Sequence, residues 1–229
     1  MAPRIPHNWR NSGRLNSRTS ANQEAAIFPF DVILFDVGGV LLTNSWDTGE
    51  RALVLERFGL DRAEFEARHL ESYRAWEMGA IPMQTYLDAT VFYEPRSFSR
   101  EEFFAAICAG SKILPDGALG ILQQIAASNQ CMVGALNNEA RETNEYRFEH
   151  FGLRKLFKVA LSSCYVGFRK PDAAIYRRVL DILGRPAERI LFIDDRVENV
   201  AGAEAAGFKA IRFEGEEALR RELAELGVL

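Results

Sequence analysis

Three short apolar runs in this chain each end in polar side chains that could carry chemistry. Asp36, the pair Asn137-Asn138 and the pair Asp194-Asp195 each follow directly after such a run. A run of this length, without alternation, is typical of a strand that is buried on both faces of a parallel sheet. Because ligands bind beyond the carboxyl ends of the strands in open α/β sheets, we expect these side chains to share one site.

The carboxylates in this set predict a metal site. Asp36, Asp194 and Asp195 would repel one another at one edge of a sheet unless a cation offset their charge. Oxygen ligands favour a hard divalent ion, and Mg²⁺ is the natural candidate. Lys170 lies just before a predicted helix, where it could hold a phosphate oxygen and offset the charge of Asp36. A nucleophilic carboxylate, a metal and a phosphate-binding lysine together predict phosphoryl transfer.

Strand and helix patterns alternate along most of the chain. The strand candidates are Asp31–Asp36, Cys131–Leu136 and Ile190–Ile193, with weaker ones at Lys158–Ser162 and Lys209–Phe213. The helical patterns between them cover Gly117–Ser128, Glu139–Phe151, Asp172–Leu183, Val197–Ala206 and Glu216–Leu226. This alternation predicts an α/β fold with a Rossmann-like parallel sheet and right-handed crossovers.

One stretch, residues 47–110, interrupts the alternation with helical periodicity and loops only. Ser99 has the pattern of an N-cap, since acidic residues occupy the first turn after it. We expect this stretch to form an inserted all-helical cap. The α/β core would then consist of residues 28–46 and 111–229.

Residues 1–27 have a different composition from the rest. They carry a net charge of +3, which leaves −7 for the remaining residues, and they contain few large apolar side chains. We expect a flexible N-terminal extension or an over-called start codon. A transit peptide for an organelle is the alternative, although Pro3, Pro6 and Gly13 interrupt any amphipathic helix there.

The overall composition excludes several classes of protein. With 229 residues, 48% of them hydrophobic, the chain can bury a core, and its net charge of −4 argues against nucleic-acid binding. No apolar run approaches the ~20 residues of a membrane span. Three scattered cysteines disfavour both a disulfide framework and a zinc site, and no histidines have ligand spacing. We therefore expect a cytoplasmic protein with neither nucleic acid nor membrane as a partner.

Four segments, in the same order along the chain, resemble the motifs of the haloacid dehalogenase-like (HAD) superfamily. They are Phe35–Val40 as motif I, Leu136–Asn138 as motif II, Lys170-Pro171 as motif III and Phe192–Asp195 as motif IV. The resemblance covers about residues 29–215 and is to the phosphatase-like branch, in which a helical cap follows motif I. It implies a Mg²⁺-dependent hydrolase that acts on a small phosphorylated metabolite.

The resemblance also implies a role for each residue of the site. Asp36 would attack phosphorus and form an aspartyl-phosphate, and Lys170 would pair with Asp36 and the phosphoryl group. Asp194 would ligate the metal directly or act through a water molecule. The other implied metal ligands are Asp36, the backbone carbonyl of Gly38, and Asp195; the implied phosphate donors are Asn137, the backbone near Asn138, and Lys170.

Two positions depart from the pattern of that branch. Its phosphatases usually carry a second aspartate, two residues after the nucleophile, that serves as general acid and base; this chain has Gly38 there. Loss of such catalysis typically costs 10²–10⁴-fold in rate. Glu139 is a candidate substitute. The milder departure is Asn137, which replaces the usual serine or threonine but whose amide can still donate to phosphate.

Two alternatives therefore stay open. One is a 2-haloacid dehalogenase, which needs no second acid in motif I but has no evident task for the pair Asp194-Asp195. The other is a catalytically weak or non-enzymatic binding protein that kept the fold. The sequence specifies neither the leaving group nor the oligomeric state, and a substrate-facing role for Trp46 or Trp76 is open.

Overall fold

The structure, a computed structural model, describes residues 28–229. The extension that the sequence predicts over residues 1–27 lies outside these described residues. Within them, five strands form one sheet in the order β3-β2-β1-β4-β5, and every neighbouring pair is parallel. The strands are β1 (Val32–Phe35), β2 (Met132–Ala135), β3 (Val159–Ala160), β4 (Ile190–Asp194) and β5 (Lys209–Arg212). The prediction of an α/β fold with a Rossmann-like parallel sheet is confirmed.

Ten α-helices surround or adjoin the sheet in the described part of the chain. The first four are α1 (Thr48–Arg57), α2 (Arg62–Glu77), α3 (Met83–Thr90) and α4 (Arg100–Ala109). The others are α5 (Leu119–Ser128), α6 (Arg141–His150), α7 (Ser163–Val166), α8 (Ala173–Leu183), α9 (Val197–Ala205) and α10 (Glu216–Glu225). The short helix α7 was not predicted, because four residues are too few to show helical periodicity.

The sheet separates two apolar cores. Ile33 and Phe35 point into a core that is closed by α5, α6 and α10, whereas Val32 and Leu34 point into one that is closed by α8 and α9. All four of these β1 side chains are fully buried. A central strand covered by helices on both faces must be apolar at every position, which explains the absence of alternation in its sequence.

The stretch between β1 and α5 holds the helices α1 to α4 and a third apolar core of its own. Asp47 and Asp61 accept backbone N–H groups at the starts of α1 and α2. Ser99 and Glu102 form a capping box at the start of α4, so the predicted N-cap is confirmed. The boundaries of a separate cap domain stay a prediction.

Two further sequence expectations can be compared with the described residues. Cys108, Cys131 and Cys164 are all free thiols. In residues 28–229 we find no helix whose length and apolar character would allow it to cross a membrane.

Candidate active site

The register of the sheet sets two of the predicted site residues side by side. Phe35 of β1 pairs with Ile193 of β4, so the residues that follow them in the chain, Asp36 and Asp194, emerge at the same edge of the sheet. The backbone N–H of Asp36 donates to the carbonyl of Ile193 at 2.8 Å. One carboxylate oxygen from each of Asp36, Asp194 and Asp195 lies within 4.8 Å of the others. The structure thus brings the three predicted carboxylates together.

Lys170 lies inside this cluster. Its Nζ is 3.0 Å from Oδ2 of Asp36 and 2.6 Å from Oδ2 of Asp194, and its side chain is almost completely buried. Burial disfavours its charged form, but attraction to the two aspartates outweighs this effect and raises the pKa of Lys170. One ammonium against three carboxylates leaves the cluster net negative.

Burial is also the main influence on Asp36. It raises the pKa of this carboxyl to about 8, since the repulsion from Asp194 and Asp195 adds to desolvation and Lys170 offsets only part of it. A divalent cation at this point would favour the ionised form. The residues therefore fit a hard cation by charge as well as by their oxygen donors.

Asp194 is fully buried and its carboxylate is already occupied by protein donors. It accepts from Nζ of Lys170, from Nδ2 of Asn199 at 2.9 Å and from the backbone N–H of Arg196 at 2.8 Å. These contacts hold Lys170 in place. Direct ligation of a metal by Asp194 stays a prediction, and the contacts are more consistent with its acting through water.

Asp195, by contrast, is half-buried and depends on a glycine for its position. A Cβ on Gly39 would lie 2.3 Å from Oδ2 of Asp195, and Gly39 has a φ of +75°. Only glycine leaves this space and adopts this backbone conformation without strain. Burial and the neighbouring Asp194 raise the pKa of Asp195. Asp36 and Asp195 are therefore the two carboxylates best placed to share a cation.

Replacing Gly39 with alanine should displace Asp195 and weaken Mg²⁺ binding. We expect at least about a tenfold loss of Mg²⁺ affinity, measured as the thermal shift during a Mg²⁺ titration, with a parallel loss of activity. Gly152→Ala is the matched control, because Gly152 has a similar φ of +67° but no atom within 4 Å of a new Cβ. It carries the same backbone strain and should keep the Mg²⁺ response. An unchanged response in Gly39→Ala would contradict the assignment of Asp195.

The two asparagines of motif II have different surroundings. The side chain of Asn138 lines the cavity described below and clamps the backbone of Lys170, accepting from its N–H at 2.8 Å and donating to its carbonyl at 2.9 Å. Asn137 is turned into the interior, where it bonds to Asn144 and Ser162. It is not part of the cavity wall. Phosphate binding by Asn137 stays a prediction that these contacts do not favour.

The position of the missing second acid is covered by another side chain. A Cβ on Gly38 would lie 2.3 Å from Oδ1 of Asn44, so the Asn44 amide fills the space into which an aspartate would extend. Sequence reasoning missed Asn44, because nothing in a loop sequence indicates that it folds back over a residue six positions earlier.

Glu139, the candidate substitute acid, has both carboxylate oxygens occupied. Oε1 accepts from the hydroxyl of Thr143 at 2.6 Å, and Oε2 pairs with the guanidinium of Arg147. Arg147 is itself buried and also donates to the carbonyl of Thr43. Glu139 also lines the cavity, but it would have to break one of these contacts to deliver a proton, so its role as the substitute acid stays a prediction.

A cavity of about 420 Å³ opens beside the carboxylates. Asp36, Gly38, Asn138, Lys170 and Asp195 line it on the side of the strand ends. On the side of the helices α1 and α2 its wall includes Trp46, Arg51, Glu66, His69, Tyr73 and Trp76. The two tryptophans thus reach the cavity. Apart from these tryptophans, no motif in the sequence indicates a function for this second group, whose members meet only when the helices pack.

Known proteins share both the sequence pattern and the fold. The family model for haloacid dehalogenase-like hydrolases matches residues 30–207. The chain is 28% identical to flavin mononucleotide hydrolase 1 of Arabidopsis thaliana, over 86% of this chain and 78% of that protein. It is also 28% identical to phosphatase MT3486 of Mycobacterium tuberculosis, over 86% of this chain and 95% of that one. A shorter match covers 71 residues, or 31% of this chain, at 35% identity. It is to drimenol cyclase drtB of Aspergillus calidoustus, of which it spans only 13%.

Solved structures show the same fold at low sequence identity. The HAD family enzyme bt-2542 of Bacteroides thetaiotaomicron superposes with a TM-score of 0.72 at 19% identity, covering 85% of this chain and 98% of that one. That protein has also been solved in complex with magnesium and inorganic phosphate. Together with the family match, which covers most of the sequence, these findings show that the chain is an enzyme and belongs to the haloacid dehalogenase-like hydrolases.

Proposed function

We propose that this hydrolase is a Mg²⁺-dependent phosphatase that cleaves a small-molecule phosphate monoester through an aspartyl-phosphate intermediate. The observation that carries the proposal is the position of Asp36. It lies 3.0 Å from the ammonium of Lys170, within a cluster of three carboxylates, on the wall of a cavity large enough for a metabolite. Relatives named as a flavin mononucleotide hydrolase and a phosphatase, each matched over most of this chain, support it.

The contacts of Asp36 suit it to act as the nucleophile. Oδ1 accepts the backbone N–H of Val37 at 2.7 Å and Oδ2 faces Lys170, so the carboxylate is held in one orientation. In the first step an ionised Asp36 oxygen bonds to phosphorus, the ester P–O bond breaks, and the leaving alkoxide takes a proton from water. In the second step a water molecule attacks phosphorus and gives up a proton to solvent, and the bond between phosphorus and the Asp36 oxygen breaks, which restores the carboxylate and releases inorganic phosphate.

The remaining residues of the site would bind the metal ion and offset the negative charge of the phosphoryl oxygens. A bound Mg²⁺ would be held by Asp36, Asp195 and the carbonyl of Gly38, and it would supply positive charge next to the phosphoryl oxygens. Lys170 adds a second positive charge at the same oxygens. Because Asn138 clamps its backbone and Asp194 accepts from its Nζ, Lys170 needs little reorganisation during the reaction.

Two assays test this proposal: hydrolysis of a phosphate ester with and without Mg²⁺, and cleavage of a carbon–chlorine bond. An activated aryl phosphate such as 4-nitrophenyl phosphate should be hydrolysed with Mg²⁺ and not after chelation. A 2-haloacid dehalogenase would instead release chloride from 2-chloropropionate without metal, but the excess of carboxylates over cations in the site does not favour this reaction. Chloride release without metal, or silence in both assays, would contradict the proposal.

The missing acid at position 38 leads to a gain-of-function prediction. Gly38→Asp alone requires the exposed side chain of Asn44 to move aside, so we expect a smaller benefit from it than from a variant that also removes this side chain. In the double variant Gly38→Asp with Asn44→Gly, the carboxylate has room, and we expect kcat for alkyl phosphates to rise by about tenfold or more, since general acid catalysis contributes 10²–10⁴-fold. Asn44→Gly alone is the control. If the double variant gains nothing on poor leaving groups, protonation of the leaving group does not limit the rate.

A further inference from the structure

The cavity has a second wall besides the carboxylate cluster. We call its lining side chains from residues 46–77 the leaving-group wall, since a phosphate held at Asp36 and Lys170 leaves the rest of the substrate facing this side of the cavity. The charges and ring contacts in this wall therefore bear on which leaving group it accepts.

The buried arginine of the wall is fully compensated. Arg51 donates from Nε and Nη2 to the two carboxylate oxygens of Glu66, at 3.0 and 2.9 Å, and from Nη1 to the carbonyl of Trp46 at 2.7 Å. A two-point pair of this kind satisfies both the charge and the geometry of each partner. Arg51 therefore has little attraction left for an anionic ligand.

The other charged residues near the wall are compensated less completely, since Nε of Arg169 and Nε of Arg147 are buried without a hydrogen-bond partner. Arg169 pairs with Glu77 at 2.8 Å, and Arg147 pairs with Glu139. The carboxylate of Asp47 accepts two backbone N–H groups at the start of α1, at 3.0 and 3.3 Å. Two further cations line the cavity among the described residues: Lys170, which pairs with Asp36 and Asp194, and Arg196, whose Nη1 lies 4.0 Å from Oε1 of Glu198. The first lies in the carboxylate cluster and the second follows Asp195 in sequence.

The histidine of the wall is neutral. Trp46 donates from Nε1 to the hydroxyl of Tyr86 at 3.0 Å, and this buried hydroxyl lies 2.7 Å from Nδ1 of His69. Because an indole N–H can only donate, Tyr86 accepts from it; the arrangement that also gives the buried Tyr86 proton an acceptor is donation to Nδ1 of His69, which places the histidine proton on Nε2. Burial, aided by Arg51, lowers the pKa of His69 to about 4, so the ring carries no charge at pH 7.

Stacked rings make up the apolar part of the wall. Tyr73 stacks on His69 with a centroid distance of 4.7 Å, and Trp76 stacks on the buried Tyr86 at 4.2 Å. Leu70, also on the cavity wall, is 68% exposed. Rings held by other rings form a rigid surface that binds flat apolar groups at low entropic cost.

We propose that the leaving-group wall selects a phosphate ester whose leaving group is uncharged and contains a ring. A charged leaving group there would have to compete with existing partners, which is costly: Glu66 holds the guanidinium of Arg51, and two backbone N–H groups hold the carboxylate of Asp47. A ring would instead bury apolar area against Tyr73 and Leu70, whereas Trp76, at 3% exposure, adds little area of its own. This inference rests on the proposed phosphatase function and specifies the class of substrate for the same site.

Three alkyl phosphates with similar alcohol leaving groups test the inference: benzyl phosphate, phosphoglycolate and O-phosphoethanolamine. We expect kcat/KM with Mg²⁺ to be at least about tenfold higher for benzyl phosphate than for either charged ester. Glu66→Gln keeps the shape of the pair but frees the charge of Arg51. It should shift the ratio of kcat/KM values towards phosphoglycolate by about tenfold, mainly through a lower KM for that ester. Glu64→Gln, on the same helix with the exposed partner Arg68, should leave the ratio unchanged.

The outcomes separate this inference from the function on which it rests. Hydrolysis of 4-nitrophenyl phosphate with a preference for phosphoglycolate or O-phosphoethanolamine would overturn the inference and leave the phosphatase intact. An unchanged ratio in Glu66→Gln would likewise overturn it, because the compensation of Arg51 would then not determine selectivity. Absence of all Mg²⁺-dependent phosphate release would overturn both proposals.

Discussion

Replacement of Asp36 by asparagine should abolish turnover of every phosphate ester while the protein stays folded. The amide keeps the size of the side chain but is far too weak a nucleophile to form the aspartyl-phosphate. We expect kcat to fall by about 10⁴-fold or more, as the loss of a covalent nucleophile does in other enzymes. The measurement is the initial rate of phosphate release at saturating Mg²⁺. Asp181→Asn, an exposed position on α8, is the matched control and should retain full activity.

The stability of the same variant provides an independent check on the environment of Asp36. Its pKa lies near 8 in the folded protein and near 3.8 in an unfolded chain, so the folded state binds the proton more tightly. This group therefore stabilises the metal-free fold below pH 4, and the contribution is lost as the pH rises through about 8. Asparagine cannot ionise. Relative to wild type, the Tm of Asp36→Asn without metal should rise by at least ~2 °C between pH 6 and pH 9.

Either result could contradict the role of Asp36. Substantial turnover in Asp36→Asn would show that the covalent step uses another residue. If the difference in Tm between Asp36→Asn and wild type does not change with pH, the pKa of Asp36 is not raised in the folded protein.

Replacement of Lys170 by methionine should impair both catalysis and folding. Methionine keeps most of the length of the side chain but leaves Asp36 and the fully buried Asp194 without their shared cation. Removal of one partner from a buried ion pair typically costs about 3–5 kcal/mol in the free energy of unfolding. Loss of the charge at the phosphoryl oxygens should lower kcat/KM by about 10³-fold.

Denaturant unfolding at pH 7 and steady-state kinetics measure the two effects of Lys170→Met. Lys209→Met, at an exposed position of β5, should change neither quantity. Added Mg²⁺ should restore part of the lost stability of Lys170→Met, because a cation at Asp36 and Asp195 reduces the same repulsion. A variant as stable as wild type without metal would contradict the electrostatic account of the cluster.

The sequence by itself was sufficient to predict the α/β architecture and the residues that cluster at the strand ends. The strands are recognisable because a parallel strand covered on both faces must be apolar throughout. The start of α4 is recognisable because Ser99 and Glu102 satisfy backbone groups close to them in sequence. Asp36, Lys170, Asp194 and Asp195 could be recognised since each lies next to such an element. The convergence of the three aspartates then follows from the geometry of any parallel sheet, whereas Lys170 precedes α8 and reaches them through the tertiary fold.

The surroundings of these residues were decided only by the tertiary structure. The Asn44 amide over Gly38, the clamp of Asn138 on Lys170 and the inward turn of Asn137 are contacts between side chains whose partners local patterns do not specify. The same holds for the leaving-group wall, where Arg51 pairs with Glu66 of another helix. Periodicity encodes which face of a helix is buried, but not which side chain it meets. The packing of the helices α1 and α2 beside the strand ends determines the contacts within the leaving-group wall. It thereby shapes the part of the cavity that would receive the leaving group.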